Sequence, residues 1–440
     1  MSPKILRITL TSVILAMAAF ATIPFIIGRN VEQAAIANAA LLIPPEIQPQ
    51  IEVHERRYSS GWFSSEAFLD VEYLPFGEQS LRMHLNVKIQ HGPVLFTPQG
   101  MAFGLIYADI DPQFDSDEIR QALQELPFAL PDIRMDMQVA LNGDLHGALH
   151  IAPVSHFDAD GLLEFAGTKA DFTAYMDGSA EFEVQLGALS AQEYASNFEI
   201  TMDGISIFAS SEQISDIVAQ SAVHLSMPRL SSSSPVATQL QDLELETRVQ
   251  PSLYASEHTD WYQRIQVGHI QSELPLSALN LTTEINETRS DLFRRYYQLI
   301  ADIQREMNAS GGIFTAAVTQ SAEEFATLLL QNRIVLNNTL AASAYDGDHT
   351  LELRIQWLGL PDLIEIGQLD VNTMLGAADL TFDMALDLDA ILRSPLAAMV
   401  DTYVQQGYLQ LENGRVLMRV EIQDSELSIN GQRRALDELL

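Results

Sequence analysis

The sequence predicts a β-rich α+β fold: a single N-terminal transmembrane helix, then two extended antiparallel β-meander halves with a central helix pair. A segment at residues 5–27, apolar except for Arg7 and a few Ser and Thr, opens the chain. Apolar and polar residues then alternate with period two between Asn-Gly and Asp-Gly dipeptides over most of the remainder. In two stretches, near 287–308 and 321–332, the period changes to that of a helix. These signals divide the chain into a cytoplasmic stub with an anchor (1–28), a juxtamembrane helix and linker (29–57), an N-terminal antiparallel β region (58–230) and a C-terminal region (231–440).

The opening segment sets the expected location. About 23 apolar residues suffice to cross a hydrocarbon core of ~30 Å. Lys4 and Arg7 lie at its start and Glu32, Glu46 and Glu52 beyond it. Positive charge resists translocation, so the expectation is a single-pass anchor with the short N-terminus cytoplasmic and the rest of the chain exported. Ala19-Phe20-Ala21 fits a signal-peptide cleavage rule, but the apolar run continues through Phe25, Ile26 and Ile27, which favours a retained anchor. Residues 31–42 are Ala-rich and read as a short helix ended by Pro44-Pro45.

The body reads as hairpins. Met137, Val139 and Leu141 precede Asn142-Gly143, and Leu145, Leu149 and Ile151 follow it. Phe172, Ala174 and Met176 precede Asp177-Gly178, and Ala180, Phe182, Val184 and Leu186 follow. Such dipeptides supply the positive φ of tight hairpin turns. Residues 228–235, with four consecutive serines, read as a loop between the halves. Leu292, Tyr296, Leu299, Ile300, Ile303 and Met307 then share one helical face, and Ser321 with Glu324 has capping-box spacing for a second helix. Strands resume at 334–345, turn at Asp346-Gly347, alternate strictly from Leu380 to Leu388, and close around Asn413-Gly414 and Asn430-Gly431, with a helix at 395–406 between.

Composition excludes several classes of function. The chain has 440 residues, of which 47% are hydrophobic, enough for a folded core. It has no cysteine, hence no disulfide and no thiolate-held metal. With 24 Lys and Arg against 59 Asp and Glu, its net charge of −35 repels nucleic acid.

Tyr58-Ser59-Ser60-Gly61-Trp62-Phe63-Ser64-Ser65 resembles the Tyr-x-x-Gly-x-Phe-Ser-Ser signature of YdgA-like proteins. His91-Gly92-Pro93 is similar to the His-Gly-Pro that follows it in that family, and Asn430-Gly431-Gln432 to its closing motif. The resemblance implies a bacterial domain of unknown function, anchored in the inner membrane and facing the periplasm, and it implies no reaction. It makes Tyr58, Gly61, Phe63, Ser64, His91, Gly92, Pro93, Asn430 and Gly431 the candidate site. Each also has a structural reading. Gly61 permits a turn with Trp62 and Phe63 packed on either side, Pro93 ends a ladder, His91 bonds a nearby carbonyl, and Asn430-Gly431 turns the chain.

No zinc-protease, nucleophile-elbow, phosphate-loop or dinucleotide motif occurs. His146, His150 and His156 are the best metal candidates, and they read better as solvent-facing histidines of a hairpin. Asp109, Asp111, Asp115, Asp117 and Glu118 form an acidic cluster without EF-hand spacing, in which Asp115 and Glu118 fit a helix cap. No catalytic residue, cofactor or metal is expected. The expected partners are the inner membrane and either a lipid or another envelope protein. A non-enzymatic scaffold or binding module fits best. An apolar sheet groove that carries lipid is the alternative, and a hydrolase with a dispersed site is a distant third.

Overall fold

The computed structural model describes residues 51–73, 81–98, 100–114, 131–159, 161–233, 237–253, 255, 257–273, 275–309, 315–363, 369, 371–423 and 425–434. The expected anchor at 5–27, the helix at 31–42 and the cap at Asp115 and Glu118 lie outside these residues. The chain forms two compact units. Unit 1 comprises residues up to His156 with Ala166–Gln185 and Ser210–Asp216, and unit 2 the remainder.

Unit 1 is an antiparallel meander. Its strands are β1 (Ile51–Ser60), β2 (Ser64–Tyr73), β3 (Leu81–His91), β4 (Val94–Thr97), β5 (Gly100–Phe103), β6 (Ile106–Phe114), β7 (Ile133–Val139) and β8 (Leu145–Ile151). After β9 (Val154–Phe157) and β10 (Gly161–Phe165) the chain returns as β11 (Thr168–Ala174). The ladder runs β1-β2-β3-β6-β7-β8-β11. Its register sorts the side chains by face. Ala67, Val87, Ile110, Met135, Leu149 and Ala170 are successive partners on the apolar face. Around buried Ile89 and Ala108, that face packs Tyr58, Ala67, Val87, Ile106 and Met137. On the other face Glu66, Lys88, Asp109, Asp136, Ala148 and Asp171 form the neighbouring row. The β4–β5 hairpin interrupts the link between β3 and β6 and is clamped by side chains of that polar face. Gln90 bonds both backbone groups of Phe96, at 2.8 and 2.9 Å, and Gln138 donates to the Phe103 carbonyl at 3.4 Å.

Unit 2 continues with the same construction on longer strands. After β12 (Ala180–Leu186), which up to Gln185 belongs to unit 1, the strands β13 (Leu189–Glu193), β14 (Phe198–Met202) and β15 (Ile205–Ser211) lead to β16 (Ser221–Ser232), β17 (Thr238–Pro251), β18 (His258–Gln271) and β19 (Leu276–Arg289). The ladder passes β10-β13-β14-β16-β17-β18-β19 and on to β20 (Ile334–Ala344), β21 (Gly347–Trp357) and β22 (Ala378–Asp387). It ends on β24 (Arg415–Gln423), β25 (Glu426–Ile429) and β26 (Gln432–Arg434), with the short β23 (Gln410–Glu412) on β24. The loop expected at 228–235 is mostly strand: β16 pairs with β17 up to Ser232 opposite Thr238.

The helix pair is present, as α1 (Ser290–Ala309) and α2 (Ala316–Gln331), an excursion between the paired strands β19 and β20. Leu292 and Leu299 are buried as the stripe requires, whereas Tyr296 is exposed against Phe325. The cap of α2 is Thr315, whose hydroxyl accepts from the Val318 amide, rather than Ser321. After α3 (Val371–Gly376), the strict alternation expected to reach Leu388 stops at Asp387. There the carboxylate caps α4 (Leu388–Arg393) through the Ala390 amide at 2.8 Å, and α5 (Ala397–Gln405) follows. These two helices bury Ile391 and Val400 on Val416 of β24.

The antiparallel sheet agrees with expectation, but the membrane-spanning helix in the expected fold class is corrected. Among the described residues no helix is long and apolar enough to cross a membrane. The longest, α1, carries Asp291, Arg294, Arg295, Asp302, Arg305 and Glu306, charges that a bilayer core rejects.

Asp136 has a raised pKa, first from burial and then from Asp109 and Asp171 in its row. A carboxyl whose folded pKa lies above its unfolded value binds its proton more tightly when folded. Stability therefore falls as pH rises from the ordinary carboxylate range through the raised pKa. Asp136→Asn is expected to be more stable than the parent at neutral pH, with the gain shrinking as pH falls through the raised pKa and lost by the ordinary carboxylate pKa of ~4. Thermal melts across pH check this, and an unchanged difference at all pH values contradicts it.

Candidate functional site

The first two motifs come together at one end of unit 1. Gly61 and Ser64 close the β1–β2 turn by a 2.8 Å amide-to-carbonyl bond. A Cβ on Gly61 would lie 2.6 Å from the Ser64 carbonyl oxygen, so the turn closes only over glycine. Trp62 and Phe63, expected to pack, are instead 50% and 57% exposed at its tip. His91 grips this turn from β3: its amide donates to the Phe63 carbonyl at 2.9 Å, and its ring reaches Ser65 and Trp62.

A polar relay results. Tyr58, Ser65 and His91 all project from the apolar face. The Tyr58 hydroxyl donates to Ser65 Oγ at 2.8 Å, and Ser65 Oγ is hydrogen-bonded to His91 Nε2 at 2.9 Å. The other ring nitrogen, Nδ1, stands 3.5 Å from the Trp62 carbonyl. Ser65 is 2% exposed and His91 3%, so the pair is shielded from bulk water. The third position, where an acylating serine enzyme orients its base with a carboxylate, holds a backbone carbonyl here.

Beyond His91, the Gly92 amide donates to the Leu105 carbonyl at 2.7 Å and the Gly104 amide to the Pro93 carbonyl at 3.2 Å, with the Gly92-Pro93 bond cis. A Cβ on Gly92 would stand 1.7 Å from the Gly104 oxygen. Pro93 ends the β3 ladder as its lack of an N–H requires. Phe63 and Ser64 hold the turn and contribute no group to the relay.

The third motif belongs to unit 2. Asn430-Gly431 is the expected two-residue turn, with φ of 50° and 77°, between Ile429 and Gln432. The Asn430 side chain also donates to the Gly407 and Tyr408 carbonyls at 3.2 and 3.0 Å and accepts from the Arg419 amide at 2.8 Å. It borders an open cleft of about 380 Å³ walled by Glu352, Asp383 and Arg419, neighbours across three strands. The Glu421 carboxylate, then Asp383, raise the Arg419 pKa, so the cleft keeps its cation.

The histidine reading meets a geometric limit. His146 and His150 share a face of β8 but stand about 13 Å apart along it, beyond the reach of one ion. His150 lies opposite Arg134 and Lys169, whose charges oppose a metal, and His146 bonds Thr173 at 3.1 Å. Among the described residues, no group of three His, Asp or Glu side chains is placed to hold one.

Sequence reasoning missed Ser65 as a member of the site, and Tyr107 altogether. Ser65 stands in the quoted motif, but its union with Tyr58 and His91 depends on the β1–β2–β3 register. Tyr107 is 3% exposed on the polar face, and burial, then Asp136 and Asp109, push its pKa up to about 12. It stays a neutral phenol.

Gly92→Ala is expected to destabilise the fold by about 3 kcal/mol, because backbone must move to admit the methyl. Ser65→Ala is expected to cost ~1–3 kcal/mol by breaking the relay at its centre. Urea unfolding measures both, and a Gly92→Ala protein as stable as the parent contradicts the close approach.

Comparison with known proteins adds one result. No curated protein and no solved structure matches the chain. A family model described as "Bacterial protein of unknown function (DUF945)" matches residues 3–436. A match over nearly the whole length, embracing both the His91 relay and the Asn430 turn, places the chain in that family of bacterial proteins of unknown function.

Proposed function

We propose that the chain is a non-enzymatic binding or scaffolding module of the bacterial cell envelope. One observation carries this reading: the Ser65–His91 pair is sealed in the apolar face and spends its hydrogen bonds on holding a turn. A nucleophile needs a cleft and an oriented base. A serine-directed fluorophosphonate probe is expected to leave the folded protein unlabelled, and labelling at Ser65 overturns the reading.

Carriage of an acyl chain along the apolar face has the half-buried Val87, Met135, Leu149 and Phe172 in its favour. Against it, the cleft in unit 2 sets Glu352, Asp383 and Arg419 among its apolar residues Met384, Leu417 and Met418, and a buried acyl chain offers these charges no partner. The envelope location rests on Lys4 and Arg7 at the start of the apolar run and on the resemblance to YdgA-like proteins. A phosphatase active only outside the cytoplasm, fused after Leu440, is expected to be active; an inactive but expressed fusion contradicts that location.

A further inference from the structure

The β4–β5 hairpin is apolar on both faces. A hairpin clamped onto a sheet buries one face and turns the other to water, so its outer positions are ordinarily polar. Leu95, opposite Ala102, faces inward and is fully buried. Phe96, its partner Met101, and Phe103 occupy the outer face and are 67–69% exposed.

The register collects more such side chains at this end of unit 1. His91, Ile106, Val139, Leu145 and Ala174 are successive partners across the sheet. The turns just beyond them expose Trp62, Phe63, Leu141 and Met176. Seven strands at ~4.8 Å spacing spread these tips over about 30 Å. Charge is withheld from the same place. Residues 58–65 and 91–106 contain no Asp, Glu, Lys or Arg, although 19% of the chain is charged. Two carboxylates in the remaining turns are engaged locally, while Glu212, on the segment that bonds Gly178, is exposed. Asp144 accepts from the Asn142 side chain and the Met176 amide, and Asp177 from the Ser179 amide and hydroxyl.

Charge also selects the occupant. A second copy would bring another net charge of −35 against the first. A zwitterionic lipid surface brings none, and fluid headgroups admit separate protruding tips where a protein partner needs a continuous matching face. Trp, Phe and Met beside Gly and Ser are suited to that depth, where an uncharged tip loses little hydration on entry. We infer that this end of unit 1 docks on a membrane surface, the outer face of the β4–β5 hairpin and the Trp62–Phe63 turn entering the headgroup region of a zwitterionic bilayer. The inference rests on the reading of the chain as a binding module and names its partner.

Trp62 supplies the test, since the other tryptophans, Trp261 and Trp357, lie in unit 2. Vesicles of phosphatidylcholine brominated on the upper acyl chain are expected to quench the tryptophan emission of the full chain. Trp62→Phe is expected to abolish that quenching. Phe96→Ser/Met101→Ser/Phe103→Ser is expected to abolish it with the circular dichroism unchanged; if the triple variant unfolds, Met101→Gln alone is expected to weaken it. The leader at 5–27 cannot mimic this result, because it contains no tryptophan. Emission unaffected by the vesicles, or quenching that survives Trp62→Phe, overturns the inference. So does a dimer seen in sedimentation that the triple variant dissolves while vesicles leave Trp62 unquenched. Probe labelling of Ser65 with the quenching intact removes the non-enzymatic reading and leaves the docking site standing.

Discussion

The register of the unit 1 ladder is the constraint on which its other features depend. Slipping β3 by one residue against β2 would carry Ile89 to the polar face and His91 away from Ser65. It would also move the Gln90 clamp off the hairpin. The register holds although Asp136 sits between the carboxylates of Asp109 and Asp171 in its row. Magnitudes explain why. Like charges paired across strands cost ~0.2–1 kcal/mol. Each large apolar side chain kept from water is worth ~1.5–3 kcal/mol, and the opposite face carries Val87, Ile110, Met135 and Leu149 in one row. The apolar face sets the alignment and the carboxylates accept it.

Turns show how far local sequence reaches. Asn413-Gly414 and Asn430-Gly431 are the two-residue turns that their residues demand, both with positive φ. Asn142-Gly143 and Asp177-Gly178 mark the right places but belong to longer loops, closed by Ala140 with Asp144 and by Tyr175 with Ser179. Only the glycine takes positive φ in each, so the preceding Asn or Asp serves the loop with its side chain. At Asp346-Gly347 the turn falls one residue early, on Tyr345 and Asp346. A Cβ on Gly347 would stand 2.5 Å from the Ala390 Cβ, so that glycine answers to the packing of α4 and not to the turn. Nothing local to the dipeptide carries that information.

The candidate site was legible to a similar depth. A glycine and a His-Gly-Pro triplet identify backbone devices, and both are used so: Gly61 in a tight turn, Gly92 against the Gly104 carbonyl. The relay was not legible, because Tyr58, Ser65 and His91 lie on three strands and meet only through cross-strand register. Nor was the exposure of Trp62 and Phe63. Hydrophobicity places a side chain inside only when the fold supplies an interior at that point, and a turn at the end of a sheet supplies none.

That exposure bears on what the fold is for. The chain has the means to guard strands against unwanted contacts and uses them in β1, which carries Glu52, Glu55, Arg56 and Arg57 and bulges between Val53 and Glu55. The β4–β5 hairpin has no such guard. Its inner residue Leu95 and the Gln90 and Gln138 clamps account for its attachment. Phe96, Met101 and Phe103 add little to folded stability where they stand, since side chains left two-thirds in water have given up little hydration. Polar residues there would keep the hairpin and remove an aggregation hazard. Three large apolar side chains on an outer face, in a stretch emptied of charge, are therefore accounted for by something that covers them and not by the fold that displays them.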